Sequence, residues 1–147
     1  MTKKNPTTGI YLDAGLGKAS QKRYQKRRMA LANKIGHLTI IFGLEKGPGG
    51  QNPWTYLDTR IYQEPLLIYL TGINQLNTIL LLDPKSKVSK EILFLSPKNP
   101  ALEFWEGIKF GTGTKQDIQF IRKITGIREI YPIDQWEAIV TKKIKAN

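Results

Sequence analysis

The sequence predicts an α/β domain with a mixed central β-sheet and helices on both of its faces. Three observations carry this expectation. Thr78 to Leu82 reads Thr-Ile-Leu-Leu-Leu, with no polar side chain after Thr78; a strand covered on one side alternates, so an unbroken run of this kind belongs in the middle of a sheet, buried on both faces. After the turn Asp83-Pro-Lys-Ser-Lys, Glu91 to Ser96 is a second nearly continuous apolar run, and two such runs separated by a turn suggest an antiparallel central pair. Helical signals at Thr114 to Thr125 and at Asp134 to about Lys145 then flank a short strand, Arg128 to Tyr131, so strands and helices interleave.

Composition sets the outer bounds. A chain of 147 residues is the size of one domain and buries about 70% of its unfolded surface. Its 40% hydrophobic and 24% charged residues are globular proportions, and no apolar stretch reaches the roughly 20 residues a membrane span requires. The basic N-terminus is followed by no apolar leader core and there is no cysteine, so the expectation is a soluble cytoplasmic protein without a membrane partner. The net charge of +11 is unevenly spread: residues 1–34 hold nine Lys/Arg against one Asp, and residues 141–147 hold three Lys and no acid. The body between Ile35 and Val140 has eleven of each sign, so it is neutral overall and the excess sits at the two ends.

In chain order, residues 1–19 contain Pro6, Gly9, Gly15 and Gly17 with little apolar period, and are expected to form a flexible arm ahead of a domain over 20–147. Gly15-Leu-Gly17-Lys18 is not a phosphate loop, because Leu12 stands where a glycine is needed and Ala19 where a magnesium-binding hydroxyl is needed. Ser20 can cap a helix to about Lys34, ended by Gly36, with Tyr24, Arg28, Leu31 and Ile35 on one side. Lys22, Arg23, Lys26 and Arg27 fall mostly on the others; they are either a nucleic-acid or acidic-lipid surface or the solvated face of an amphipathic helix, and the second is the more economical reading. His37 to Phe42 is a strand closed by Gly43, and His37, the only histidine, has no carboxylates at ligand spacing. Leu44 to Arg60 is a Gly/Pro-rich loop in which Trp54 is a candidate interface residue or loop anchor.

Glu64-Pro65 fits the first turn of a helix, while Leu66 to Leu70 would suit a strand by propensity alone. Thr71-Gly72 is a sharp turn before the central strand. Asn99-Pro100 opens a helix that stops at Gly107, and Gly126 stops the one from Thr114. Thr114 with Asp117, and Asp134 with Glu137, have capping-box spacing. Ile118, Ile121 and Ile124 line one of these helices; Trp136, Ile139, Val140 and Ile144 line the other.

Gln63 followed by Tyr69-Leu-Thr-Gly-Ile-Asn, a strand ending in Asp83, a strand Ile92-Leu-Phe-Leu, and Phe104-Trp-Glu-Gly-Ile-Lys-Phe-Gly111 together resemble the N-terminal domain of aminopeptidase P, the Xaa-Pro aminopeptidases of the creatinase and prolidase superfamily. Order and spacing match from about Ser20 to the C-terminus. The resemblance implies a mixed-sheet α/β unit of the creatinase/aminopeptidase P N-terminal type, with no catalytic residue and no metal ligand of its own. It places two divalent ions, usually manganese, in a separate catalytic C-terminal domain of the same polypeptide, held by two Asp, one His and two Glu. This chain is therefore expected to need no cofactor and to be inactive alone. The resemblance further implies homo-oligomer contacts, a share in the wall of the cleft that takes proline-containing peptides, and Trp105 facing the proline pocket; packing of Phe104 and Trp105 onto the sheet is the equal alternative. Tyr62 replaces the family's usual arginine and Glu64-Pro65 its Asp-Ser or Asn-Ser pair, so the contacts of those groups do not carry over. The competing functions are a stand-alone protein-interaction domain of the same fold and a basic nucleic-acid module, the latter poorly served because only Tyr24 is an aromatic among the basic residues.

Overall fold

The computed structural model describes residues 21–45, 63–101 and 110–146. Trp54 and Trp105, the residues 1–19, the loop to Arg60 and most of the helix expected up to Gly107 lie outside them. Within them the order is α1 (Gln21–Ile35), β1 (Thr39–Phe42), α2 (Pro65–Thr71), β2 (Thr78–Leu82), β3 (Glu91–Leu95), α3 (Lys115–Thr125), β4 (Glu129–Pro132), a 3-10 turn at Ile133–Gln135, and α4 (Trp136–Ala146). The Leu66 to Leu70 ambiguity resolves as helix, since Glu64 caps it by accepting from the Leu66 amide at 2.7 Å and Pro65 supplies a preset φ.

The four strands lie in the order β1-β2-β3-β4. β1 and β3 flank β2 antiparallel, Ile41 facing Leu80 and Leu80 facing Leu93, while β4 runs parallel to β3 with Ile92 opposite Glu129. All five residues of β2 are buried. Their alternation distributes them between two cores: Leu80 and Leu82 join Leu93, Leu95, Ala32, Leu67, Leu70 and Ile121 under α1, α2 and α3. Ile79 and Leu81 join Ile92, Phe94 and Val140 under α4, with Trp136 and Ile139 packed alongside. The helices therefore cover both faces of the mixed sheet. Two details differ from expectation: Ile35 and Ile144 are exposed, and the buried stripe of α1 runs through Tyr24, Arg28 and Ala32.

Helix ends repeat one device. Thr71 and Thr125 each donate Oγ1 to the carbonyl four residues back, Leu67 at 2.7 Å and Ile121 at 2.8 Å, and each accepts from the amide two residues on, Ile73 and Ile127, at 3.1 Å. The intervening Gly72 and Gly126 both have φ of 76°, a left-handed cap that L side chains resist. α1 packs across both caps, since a Cβ on Gly72 would lie 2.6 Å from the Tyr24 ring and one on Gly126 2.8 Å from Gln21 Cγ. The same tripeptide at 8–10 lies outside the described residues. At the start of α3, Thr114 Oγ1 accepts from the Asp117 amide at 3.1 Å and donates to the Asp117 carboxylate at 2.7 Å. Asp134 makes no such cap: the chain passes from Pro132 straight into the 3-10 turn, so Asp134 sits inside the helical run rather than ahead of it.

A charged link crosses the first core. Arg28, fully buried, donates Nε and Nη2 to the two Glu91 carboxylate oxygens at 3.0 and 3.1 Å and Nη1 to the Leu70 carbonyl at 2.9 Å. It ties α1 to the end of α2 and the start of β3 with its three donor nitrogens all paired, the condition for burying a guanidinium.

Candidate functional site

The end of β1, the start of β2 and the end of β3 lie together at one end of the sheet. Leu44, Gln63, Gln75 and Phe110 come together there. Its interior is polar but uncharged. Gln63, Asn74, Gln75 and Thr78 are all buried, an arrangement that the desolvation cost of amides permits only with partners present. Gln63 Oε1 accepts from the amides of Leu44 at 2.5 Å and Glu64 at 2.7 Å, and its Nε2 donates to the Gln75 carbonyl. Thr78 Oγ1 donates to that same carbonyl at 2.9 Å. Gln75 reaches across to Phe110, donating Nε2 to its carbonyl at 3.0 Å and accepting its amide at 2.9 Å. Since Phe110 offers one backbone donor and one backbone acceptor, the orientation of the Gln75 amide is unambiguous.

Sequence choices close to the network serve it. Gly43 leaves the room: a Cβ there would stand 2.5 Å from both Gln63 Nε2 and the Thr78 carbonyl. Its amide donates to Thr78 at 2.8 Å, and Asn77, at φ of 54°, donates to Leu44 at 2.9 Å. Gly111 likewise lets the backbone of Lys98 approach, its amide 2.8 Å from where a Cβ would be. Lys98 then reaches Asp117 at 2.9 Å. Partial burial works to raise the Asp117 carboxyl, but the Thr114 hydroxyl and the Lys98 ammonium outweigh it and hold the group below its ordinary value.

Chemically, this is a brace. It contains neutral amides and a hydroxyl already paired, with no nucleophile beside a base. Among the described residues no group of three or more His, Cys, Asp or Glu could hold a metal ion, so they do not fit the two-ion site that the resemblance implies for the parent enzyme. No described helix is long and apolar enough to cross a membrane. Of the basic helix residues, Arg27 is committed elsewhere: its guanidinium lies 4.0 Å from the Tyr69 ring centroid and donates to the Tyr69 carbonyl at 2.9 Å. Trp54 and Trp105 were the two site residues read from sequence, and the structure tests neither. Gln75 was missed because it stands in the mostly polar run Asn74-Gln75-Leu76-Asn77-Thr78, which reads as an ordinary connection, and nothing local marks it as buried.

Known proteins share this architecture. Residues 24–147 match the family described as aminopeptidase P, N-terminal domain. An Xaa-Pro aminopeptidase of Haemophilus influenzae is 32% identical over 133 residues, which is 90% of this chain and 29% of that protein; the mouse Xaa-Pro aminopeptidase 3 is 27% identical, over 84% of this chain and 25% of its own. Among solved structures, Pseudomonas aeruginosa aminopeptidase PepP superposes with a TM-score of 0.64 at 19% identity, covering 84% of this chain and 26% of that one. A zinc-substituted Escherichia coli aminopeptidase P in complex with product gives 0.61 at 19% identity, covering 80% and 25%. The chain thus spans between a quarter and a third of the length of these relatives. With more than half of its residues matched and the fold in common, the chain belongs to the aminopeptidase P N-terminal domain family.

Proposed function

We propose that this chain is the non-catalytic N-terminal domain of a metal-dependent Xaa-Pro aminopeptidase, that it contributes to oligomer contacts, and that it helps wall the cleft for peptides with proline second. The observation that carries the reading is the neutral Gln63–Gln75–Phe110 brace at one end of the sheet, whose Gln63 and Phe110 directly follow residues 46–62 and 102–109 in the chain. Such a brace can supply a rigid wall without titrating, as an accessory surface to someone else's catalysis should. The two ions, manganese by family resemblance, then belong to the catalytic C-terminal domain, with which this domain works in one cytoplasmic polypeptide. Within this reading Trp105 is assigned to the pocket wall and Trp54 to an interface or loop anchor, both outside the described residues.

Reading the coding frame beyond Asn147 tests this. A following domain of roughly 200 to 250 residues with Asp, Asp, His, Glu and Glu in that order is the expected result. A stop codon with no catalytic partner encoded nearby would favour the stand-alone interaction domain instead.

A further inference from the structure

Near the opposite end of the sheet is a pocket of about 580 Å³ lined by Gln21, Gln119, Arg122, Lys123, Gly126, Arg128 and Glu129. Glu129 opposes Ile92 at the start of β3, whereas the glutamine brace adjoins the strand's other end, so the two sites are separate. The volume is in the range of small-molecule clefts. Three cations face one carboxylate there, and that carboxylate is engaged, accepting the Tyr131 hydroxyl at 2.6 Å. Among the described residues Lys123 and Arg128 have no acidic partner. Arg122 is oriented by donating Nε to the Arg128 carbonyl at 2.8 Å. The negative end of α3 is covered as well, since the Arg122 carbonyl takes the Gly126 amide at 2.8 Å and the Gln21 side-chain amide at 3.5 Å, so it opposes an anion less.

We propose that this pocket binds a compact polyanion bearing two or more phosphoryl groups. Its lining supplies guanidinium, ammonium and amide donors close together, and phosphoryl groups offer the matching density of acceptor oxygens. The cations are solvent-facing, each contributing little alone, so a multiply charged ligand is required. None of the lining residues is aromatic, which disfavours stacked nucleobases and hence single-stranded nucleic acid.

Inorganic triphosphate titrated into the whole chain at about 50 mM salt is the test, read by calorimetry and by amide shifts in 126–129. Saturable binding is expected, at least about tenfold tighter than orthophosphate and weakened several-fold at about 200 mM salt. Lys123→Gln with Arg128→Gln should reduce affinity about tenfold, while Glu129→Gln, which keeps an acceptor for Tyr131, should raise it about threefold. Affinity unchanged in all three substitutions would assign the effect to the basic residues of 1–20 and overturn the proposal. So would an oligonucleotide single strand that binds more tightly than triphosphate, or no saturable binding at all.

Discussion

Gln75 satisfies both backbone groups of Phe110 with one side chain. Gln75→Leu would remove both partners at a buried site, and a buried amide and carbonyl left unpaired should cost roughly 2 to 4 kcal/mol. Equilibrium unfolding in urea would measure it, with a loss below about 0.5 kcal/mol showing that water replaces the side chain. The left-handed glycines rank themselves. Gly36 has open space around the Cβ position, whereas Gly72 faces the Tyr24 ring, so Gly36→Ala should cost about 1 kcal/mol and Gly72→Ala clearly more, with thermal midpoints falling in that order. Asp117 adds a pH signature. Its folded pKa is lowered, so its contribution is complete above the ordinary value of 3.8 and disappears as pH falls through the lowered folded value. The stability gap between the wild type and Asp117→Asn should therefore be present at neutral pH and close below 3.8; a gap that persists in acid would contradict the assignment.

At the scale of elements, α1 is held by a charge rather than by apolar packing alone. Arg28→Met would leave Glu91 unpaired with only 17% of its side chain exposed, for which a loss of about 3 to 5 kcal/mol is expected, while Arg28→Met with Glu91→Leu should recover most of it. A double variant as unstable as the single one would mean that the Leu70 carbonyl, not the ion pair, dominates. This link also marks where sequence reading ran out. Arg28 was visibly on the apolar stripe of its helix, but its partner is 63 positions away, and no local period reports a pairing at that distance. Strand β2 was legible because burial on both faces leaves an apolar run, and the ends of α1 and α3 because Gly36 and Gly126 each take a conformation that favours glycine, whereas Gly72 marked a turn without deciding whether helix or strand precedes it. Asp134 misled because capping-box spacing is local, whereas its use was preempted by Pro132 turning directly into a 3-10 turn.

For the whole molecule, fold and family were readable because they depend on ordered local signals spread over the chain: a turn, two apolar strands and three glycine-capped helices. The site was less so. The brace is assembled from Gln63, Gln75 and Phe110, which only the finished sheet brings together, and Trp54 and Trp105 lie beyond the described residues. The central claim is that this domain supports catalysis without performing it. Its most direct test is to titrate manganese into the purified 147-residue chain and assay an Xaa-Pro peptide in the same solution. The account predicts no stoichiometric tight manganese site and no turnover above the blank, because a two-ion site needs several carboxylates converging on one point; tight stoichiometric binding accompanied by release of the residue ahead of proline would contradict it.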